Sequence, residues 1–410
     1  MKRGVRVDIT RVWEGLAEPD GGSIIYVIMD GVGGLSFPGR GGTALEVART
    51  PNLDRLAGES SCGLLEMVGP GITPGSGPGH LALFGYDPLE HDLGRGVLSA
   101  LGVDFDLQYG DVAARINFAT VDNDGNVVDR RAGRIDTETN RVLCERLRDE
   151  ITLEGDVELF IRTVSEHRAV LVLRGPGLEA ALNDTDPQRT GVPPLDPHAA
   201  DEGSEKAEGA IRSFLDQSRE LLAGEDRANM VLLRGFEKYK PFPSLEERFK
   251  LSGLCIAEYP MYRGISRLLG MDILTPPSGI KASFEALESS WSSDHNFYFL
   301  HIKKTDSYGE DGDFDAKVGV IEEVDALIGK AVDLDPDVLV VTADHSTPAL
   351  MKAHSWHPVP VMIRARLARV DRVERFDEVS CVNGTLGLRP GVHLIGLALA
   401  NAGRLGKYGA

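Results

Sequence analysis

Three apolar runs that each end close to an acidic residue restrict the folds open to this chain. The runs and their acids are Ile24–Met29 with Asp30, Phe297–Ile302 with Asp306, and Val338–Thr342 with Asp344. A continuous apolar run is typical of a strand buried on both faces of a parallel sheet, and open α/β sheets bind ligands at the carboxyl ends of their strands. The pattern therefore predicts an α/β fold in which three carboxylates meet at one sheet edge.

Histidines extend this set of acids. His345 comes directly after the last acid, and His354 and His357 follow shortly, so that one of these two can complete the set. Carboxylate and imidazole groups bind divalent metals, and two-metal sites support phosphoryl transfer. Because Asp30 and His345 lie about 300 residues apart, we expect a site assembled by folding rather than by a local motif. His301, inside a strand run, is expected to be a packed histidine bonded to a neighbour.

Composition narrows the class of protein. The chain has 410 residues, 44 Lys and Arg against 63 Asp and Glu, and a formal net charge of −19. This length favours two or three domains, and this charge argues against a nucleic-acid surface. We find no signal-peptide pattern or long apolar run, so we predict a cytoplasmic protein without a membrane partner. Free thiols are expected at the four scattered cysteines, Cys62, Cys144, Cys255 and Cys381.

The middle of the chain has its own strand and helix pattern. An Asp-Gly step at 122–125 predicts a hairpin, and a Pro-Pro pair at 276–277 is typical of a hinge. We therefore predict a discontinuous metal-binding domain, 1–105 and 278–410, interrupted by a smaller α+β substrate-binding domain, 106–277.

A glycine-rich run at 71–80 contains Ser76 and ends in His80. Glycine lets the backbone approach a ligand closely, and metal coordination can activate a serine hydroxyl as a nucleophile. The alternative reading of Ser76 is a helix cap. With the metal-ligand candidates elsewhere in the chain, the nucleophile is favoured, and His80 becomes a candidate for contacting the substrate.

Arginines supply candidates for anion recognition. Arg130, Arg131 and Arg134 fall within one short segment, and a guanidinium group suits phosphate and carboxylate oxygens. The alternative is a solvated charged turn. Further candidates, weaker one by one, are Arg168, Arg263 and Lys281. Together they would let two domains close over a doubly anionic substrate and exclude water.

Ten stretches together carry a family resemblance. They are IMDGVG at 28–33, RTPNLD at 49–54, GSGPGHLALFGYDP at 75–88, GRG at 94–96, RINFAT at 115–120, DRRAGR at 129–134, NDTDP at 183–187, GDFDAK at 312–317, TADH at 342–345 and KAH at 352–354. With them the chain resembles, over nearly its whole length, the archaeal-type cofactor-independent (2,3-bisphosphoglycerate-independent) phosphoglycerate mutases of the alkaline phosphatase superfamily. The resemblance implies an alkaline-phosphatase-like metalloenzyme domain with a substrate-binding insert.

The resemblance also implies residue roles. One divalent metal would be held by Asp30, Ser76, Asp344 and His345, and the other by Asp306, position 310 and His354. Ser76 would take the phosphoryl group from 3-phosphoglycerate and return it to the other hydroxyl, without added 2,3-bisphosphoglycerate. The substrate phosphate and carboxylate would be clamped by Arg130, Arg131, Arg168, Arg263 and Lys281. The expected partner is a small phosphorylated substrate, and a homo-oligomer is compatible with the sequence.

Position 310 departs from the family pattern, because Glu310 stands where the family usually has a metal-ligating histidine. A carboxylate suits Mn²⁺ or Mg²⁺ better than metals that favour nitrogen. Manganese is therefore the first expectation, with magnesium, cobalt and zinc as alternatives. If Glu310 is not a ligand, Asp311 or Asp313 could contribute an oxygen.

Other activities use the same kind of site. A related metal-dependent phosphotransferase resembling a homoserine kinase, or a phosphohydrolase acting on a small phosphorylated hydroxy acid, would need the same serine and metals. A catalytically silent binding protein with a degraded metal site is a third alternative, suggested by Glu310.

Overall fold

The structure is a computed structural model that describes residues 8–91 and 94–409. In chain order the strands of these residues are β1 Ile24–Met29, β2 Ser61–Glu66, β3 Val112–Val121, β4 Val127–Asp129, β5 Glu158–Ser165, β6 Arg168–Arg174, β7 Met230–Lys238, β8 Gly253–Ala257, β9 Asp272–Leu274, β10 Phe297–Ile302, β11 Val338–Thr342, β12 Val359–Ala365 and β13 Gly387–Pro390.

Helices make up most of the remaining regular structure. They are α1 Ile9–Leu16, α2 Ala44–Val47, α3 Pro51–Ala57, α4 Ser76–Leu83, α5 Arg95–Gly102, α6 Thr137–Glu150, α7 Glu205–Leu222, α8 Leu245–Phe249, α9 Pro260–Leu268, α10 Ile280–Ser290, α11 Lys304–Asp311, α12 Phe314–Asp333, α13 Glu378–Cys381 and α14 Leu394–Asn401. Short 3₁₀ turns cover Ala132–Arg134, Glu202–Ser204 and Gly391–His393.

The larger sheet has eight strands in the order β13-β2-β12-β11-β1-β10-β8-β9 among the described residues. Strands β11, β1, β10, β8 and β9 run parallel, whereas β12 is antiparallel to both β11 and β2. Every residue of β1, β10 and β11 is buried, which explains their continuous apolar sequences. The predicted α/β fold class is confirmed by this sheet.

Strand register brings three carboxyl ends together. Met29 at the end of β1 is paired with Ile302 at the end of β10, and Ile28 is paired with Thr342 at the end of β11. Residues that follow these strands therefore leave the sheet at one edge. This edge is the place where the acids of the three apolar runs were expected to meet.

The smaller sheet is antiparallel, with β3 paired to β4, β6 and β7, and β5 paired to β6. Helices α6 and α7 cover it through a shared apolar core that includes Leu147, Phe214 and Phe118. The Asp-Gly hairpin predicted at 122–125 connects β3 and β4, with Gly125 at φ +82°.

The chain forms two compact units, whose borders differ from the predicted domain borders. The large unit comprises Met1–Asp92, Pro243–Tyr259 and Leu269–Ala410, and the small unit comprises Leu93–Phe242 and Pro260–Leu268. The sequence placed all of 106–277 in the insert. Strands β8 and β9 instead belong to the large sheet, because they continue its parallel side beyond β10. Helix α9 belongs to the small unit, where it packs against α5.

Within the described residues, no helix combines the length and the apolar character needed to cross a membrane. All four cysteines are buried, and none of them forms a disulfide among the described residues, in line with the prediction from the sequence.

Candidate active site

Three buried carboxylates lie where strands β1, β10 and β11 end. Asp30 and Asp344 are 0% exposed and Asp306 is 1% exposed. Asp30 follows β1 directly, Asp344 follows β11 after one residue, and Asp306 lies in the first turn of α11, just after β10. Parallel register thus places acids that are distant in sequence at one edge of the large sheet.

Two histidines complete this cluster. The Nε2 atom of His345 lies 3.3 Å from Asp30 Oδ1 and 3.1 Å from Asp344 Oδ2. The Nε2 atom of His354 lies 3.3 Å from Asp306 Oδ1. The two imidazole rings are stacked with their centroids 3.7 Å apart. We call these residues, Asp30, Asp306, Asp344, His345 and His354, the metal-ligand cluster.

Two overlapping groups in this cluster have the geometry of a cation site. One consists of Asp30, Asp344 and His345, and the other of Asp306, His345 and His354, with all ligand atoms of a group within 4.8 Å of one another. Burying carboxylates is costly unless cations balance them. Three buried carboxylates and two imidazoles are oxygen and nitrogen donors that fit divalent metals.

Neighbouring charges shift the pKa values of residues in the metal-free cluster. Burial favours a higher pKa for Asp30, but Lys303, His301 and His345 outweigh it and hold that pKa well below its usual range. Burial favours a lower pKa for His354, but Asp306 outweighs it and raises that pKa to about 9. A metal at His354 therefore has to displace a proton.

Ser76 lies beside this cluster. It is the first residue of α4, its Oγ is 3.4 Å from His345 Nε2, and Gly75 occupies the N-cap position. The hydroxyl is therefore not used as the N-cap of the helix, which was the alternative reading of this residue. A helix N-terminus carries partial positive charge and free N–H groups, so its position suits an anionic oxygen next to Ser76.

Glycines allow the close approaches at this edge. A Cβ atom at Gly79 in α4 would lie 2.3 Å from the carbonyl oxygen of Asp344. Gly31 has φ +63°, and a Cβ atom there would lie 2.4 Å from Thr347 Oγ1. Side chains at either position would push the loops that carry the ligands apart.

Two residues of this site were missed by the sequence analysis. Lys303 Nζ lies 3.0 Å from Asp30 Oδ2 and 2.5 Å from Asp306 Oδ2. Thr347 donates its hydroxyl to Asp306 Oδ1 at 2.6 Å, and its Oγ1 is 3.0 Å from His345 Nδ1. Both residues lie in the loops that carry the predicted ligands. A search of those loops for cations and hydroxyl groups, and not only for acids and histidines, could have found them.

Glu310, the residue that departs from the family pattern, has an exposed side chain. The Glu310 side chain is 56% exposed, and its Oε1 lies 3.8 Å from His354 Nε2. It is close enough to face the cluster, but His345 takes its expected place in the second ligand group. Asp313, the alternative oxygen donor, caps α12 by accepting a hydrogen bond from Ala316 N.

Of the two histidines that could complete the set, the cluster includes His354 and not His357. The Nδ1 atom of His357 instead lies 3.0 Å from Ser355 Oγ.

Two further buried histidines, His80 and His301, contact carboxylates of the cluster. His80 is 0% exposed, and its Nδ1 lies 3.2 Å from Asp344 Oδ2 and 2.8 Å from the Ser76 carbonyl oxygen. This position suits orientation of Asp344 rather than the substrate contact expected from the sequence. His301 is 3% exposed, with its Nε2 3.3 Å from Asp30 Oδ2, which confirms the expected packed histidine.

The candidates for anion binding are in different environments. Arg130 forms two hydrogen bonds with the buried Asp186, at 2.8 and 2.7 Å, so its guanidinium already has a carboxylate partner. Arg263 donates to the carbonyl oxygen of Gly102 at 3.2 Å, in the packing of α9 against α5. Lys281 is 71% exposed and lies 3.5 Å from Glu285 on its own helix.

Four arginines of the small unit act electrostatically on the buried His167. Burial and the positive charges of these arginines, Arg168, Arg115, Arg131 and Arg134, together lower the pKa of His167 to about 3. Within 8–91 and 94–409, no carboxylate lies within ion-pair distance of the Arg131 or Arg134 guanidinium. We call these four arginines the arginine cluster. Arg115 was not among the candidates from the sequence, although the alternation of polar and apolar residues from 115 to 118 places Arg115 and Asn117 on one face of β3.

Sequence comparisons place this chain beside proteins of one family. Residues 57–227 match the family model described as 2,3-bisphosphoglycerate-independent phosphoglycerate mutase. A Thermus thermophilus relative named "Probable 2,3-bisphosphoglycerate-independent phosphoglycerate mutase" is 49% identical over 408 residues, 98% of this chain and 100% of the relative. A Deinococcus radiodurans relative of the same name is 48% identical over 410 residues, again 98% and 100% of the two chains.

Two solved structures are similar to this chain over most of its length. A Pyrococcus horikoshii protein matches with a TM-score of 0.82 and 28% identity, over 95% of this chain and 100% of that one. The cofactor-independent phosphoglycerate mutase of Thermoplasma acidophilum matches with a TM-score of 0.70 and 29% identity, over 93% and 100%. The resemblance found in the sequence is confirmed by these matches. The chain belongs to the family of 2,3-bisphosphoglycerate-independent phosphoglycerate mutases.

Proposed function

We propose that this chain interconverts 3-phosphoglycerate and 2-phosphoglycerate through a phosphoserine at Ser76, with two divalent metals and without 2,3-bisphosphoglycerate. The observation that carries the proposal is the position of the Ser76 hydroxyl, 3.4 Å from His345 Nε2 in a buried cluster of acids and histidines. Serine is a weak nucleophile by itself, so a hydroxyl beside metal ligands at a helix N-terminus is suited to attack on phosphorus.

The metal-ligand cluster would hold the metals. Asp30, Asp344 and His345 form one set, and Asp306 and His354 form the other, with His345 between the two sets. Bound metals supply Lewis acidity, which neutralises phosphoryl charge and lowers the pKa of a coordinated hydroxyl. Manganese is our first choice, because the donors are mostly carboxylate oxygens and Glu310 adds another one nearby.

The proposed reaction transfers the phosphoryl group twice. The Ser76 Oγ–P bond forms as the bond between phosphorus and the substrate O3 breaks, and the proton that the Ser76 hydroxyl loses is balanced by the proton that O3 of the glycerate gains. After glycerate turns within the site, its O2 attacks the phosphoserine, the Oγ–P bond breaks, and Ser76 regains its proton. Lys303, between Asp30 and Asp306, adds a fixed positive charge on the side where negative charge is concentrated.

Retention of glycerate between the two transfers needs a group that binds its carboxylate. The arginine cluster meets this need, because guanidinium groups bind carboxylate and phosphate oxygens in pairs. Arg131 and Arg134 are its exposed members and are the first candidates for substrate contact. Arg130 is already paired with Asp186, so we assign it a structural role and do not count it among the residues that contact the substrate. Cytoplasmic location stays a prediction from the sequence.

The direct test is a coupled assay for 2-phosphoglycerate, starting from 3-phosphoglycerate with no 2,3-bisphosphoglycerate added. Mn²⁺ is supplied and then removed with a chelator, and Ser76→Ala is the blank. We expect metal-dependent formation of 2-phosphoglycerate by the wild type and none by the variant, which should keep its fold because only one partly exposed oxygen is lost.

Three other outcomes would contradict the proposal. Release of inorganic phosphate without 2-phosphoglycerate would identify a phosphohydrolase. Substantial mutase turnover by Ser76→Ala would exclude the phosphoserine. Transfer to homoserine in a parallel assay with added acceptor would indicate the related phosphotransferase.

A further inference from the structure

Lys317 is a charged side chain buried next to the active site but outside the metal-ligand cluster. It lies on α12, is 1% exposed, and is among the largest fully buried side chains of the molecule. Its Nζ donates to the carbonyl oxygens of Gly31 at 2.7 Å and Thr347 at 2.8 Å, and lies 3.4 Å from that of Gly33. The ammonium therefore directs its three donors to backbone oxygens.

These carbonyl oxygens belong to the two loops that carry the first set of metal ligands. Gly31 comes directly after Asp30, and Thr347 comes two residues after His345. The loops also bond to each other, because Thr347 N donates to Gly31 O at 3.1 Å and to Gly33 O at 3.0 Å. Lys317 thus fastens the two loops at the point where they meet.

Thr347 extends this connection to the second set of ligands. Its hydroxyl bonds to Asp306 Oδ1 at 2.6 Å and lies 3.0 Å from His345 Nδ1. A shift of Thr347 would therefore disturb its contacts with Asp306 and with His345, and so affect both sets of ligands. Hydrogen bonds of this kind fix the orientation of ligating groups and tune metal affinity.

The far end of the first loop is held by a second charged side chain. Glu378 on α13 accepts hydrogen bonds from Gly34 N and from Thr43 Oγ1, both at 2.8 Å. Residues 31–34 are thus held by Lys317 through carbonyl oxygens and by Glu378 through an N–H group. Both contacts come from residues distant in the sequence, so the loop position depends on them.

A buried ammonium is costly, which makes this lysine informative. Burial lowers the pKa of Lys317 to about 8, while Glu378, Asp306 and Asp30 act in the opposite direction. Among the described residues no carboxylate lies within ion-pair distance of its Nζ, so direct partners are carbonyl oxygens alone. An apolar side chain of the same length would avoid the cost of burying a charge, but it could not bond to either loop.

We propose that Lys317 is a positioning residue for metal binding, which holds the loops after β1 and β11 so that Asp30 and His345 can share a metal. This inference rests on the proposed two-metal function. It assigns to Lys317 an effect on metal affinity, exerted through Gly31 and Thr347, rather than a contact with the substrate.

The direction in which metal affinity changes distinguishes a positioning role of Lys317 from an effect of its charge alone. Simple electrostatics predicts that removal of a positive charge near a cation site tightens metal binding. Loss of positioning predicts weaker binding, because the ligands would no longer be held at the distances that a metal requires. The same variant can therefore support or overturn the proposal.

The experiment compares Lys317→Met with Lys330→Met. Methionine keeps most of the length of lysine and removes the donors and the charge. Lys330 lies on the same helix but pairs with Glu288, so its variant controls for loss of a lysine from α12. Mn²⁺ affinity is measured by titration calorimetry, the Mn²⁺ environment by electron paramagnetic resonance, and folding by circular dichroism and thermal melting.

We expect Lys317→Met to fold and to bind Mn²⁺ about 10- to 100-fold more weakly, the range known for partners of metal ligands, with an altered resonance spectrum. Lys330→Met should bind like the wild type. Unchanged or tighter Mn²⁺ binding by folded Lys317→Met would overturn the proposal, even if the variant melts at a lower temperature.

A second variant covers failure to fold. If Lys317→Met does not fold, Lys317→Gln, which keeps one polar donor group, is measured in the same way. Binding by Lys317→Gln within about twofold of the wild type would overturn the positioning role. Absence of Mn²⁺ binding by the wild type would instead contradict the proposed function, so the two failures are distinguishable.

Discussion

The metal-ligand cluster and the arginine cluster are built in different ways. The first uses side chains at the ends of buried parallel strands, and its three acids are at most 1% exposed. The second uses side chains from the antiparallel sheet and its connections in the small unit, and Arg131 and Arg134 are exposed. In the proposed function these differences correspond to a division of roles, in which buried strand ends would hold the metals and exposed arginines would bind the anion. Five predictions test this division, from the largest effect to the smallest.

The largest effect is expected from Asp344→Asn in the metal-ligand cluster. The variant loses a charged ligand next to His345 and Ser76, so Mn²⁺ binding at that set and mutase activity should fall below detection. In the wild type, Mn²⁺ at 100 times its dissociation constant should stabilise the fold by about 2.7 kcal/mol, seen as a higher melting temperature. The variant should lose that shift. A full Mn²⁺ stabilisation in Asp344→Asn would exclude Asp344 as a ligand.

An effect of a different kind is expected from Arg131→Ala and Arg134→Ala in the arginine cluster. A hydrogen bond to a charged group contributes about 1.5–3 kcal/mol, so KM should rise roughly 10- to 100-fold. Mn²⁺ affinity should stay unchanged, which separates this cluster from the metal ligands. The control is Arg219→Ala, since Arg219 is an exposed arginine of α7 in the same unit. Equal KM values in all three variants would remove the arginine cluster from substrate binding.

Metal binding should weaken in acid. The pKa of His354 is about 9 in the metal-free protein, because Asp306 outweighs burial, so His354 is protonated at pH 6 to 8 and a metal must displace that proton. The affinity for the second metal should fall about tenfold for each pH unit lowered in that range. Calorimetry in buffers of different ionisation enthalpy should detect one released proton. A pH-independent affinity would mean that His354 is not a ligand.

The same pKa shift has a consequence for the metal-free fold. Because the folded pKa of His354 lies above the usual value of 6.5, the protonated form stabilises the fold. This stabilisation is fully present below pH 6.5 and is lost as the pH rises through about 9. Metal-free protein should therefore lose part of its stability between these values, as measured by chemical unfolding at several pH values.

The smallest effect is expected from Lys281→Ala, although the sequence resemblance assigned Lys281 to substrate binding. The side chain is mostly exposed and pairs with Glu285 on its own helix, an arrangement that contributes about 0.3–0.5 kcal/mol. Activity and KM should therefore change little. A KM increase as large as that expected for Arg131→Ala would show that Lys281 reaches the substrate, as the resemblance implied.

The sequence predicted those parts of the site that depend on strand ends. The apolar runs at 24–29, 297–302 and 338–342 match β1, β10 and β11, because a strand buried on both faces needs apolar side chains throughout. Parallel pairing then brings the following acids together regardless of their separation in sequence. Fold class and the cluster of acids were accessible for this reason.

Other features could not be read from local pattern. The unit borders were displaced, because β8 and β9 look like any short apolar strand and only pairing with β10 assigns them to the large sheet. The pairing of Arg130 with Asp186 depends on a tertiary contact between residues 56 positions apart. Lys303 was overlooked because a cation among metal ligands is meaningful only when its distance to Asp30 and Asp306 is known.

The central claim is that Ser76 carries the phosphoryl group at a two-metal site. The most direct measurement is mass spectrometry of protein that has been incubated with Mn²⁺ and 3-phosphoglycerate, quenched in acid and digested. The account predicts one added phosphoryl group, located on the peptide that contains Ser76 and absent after chelation or from Ser76→Ala. Turnover to 2-phosphoglycerate with no phosphorylated Ser76 peptide, or with the phosphoryl group on another residue, would contradict it.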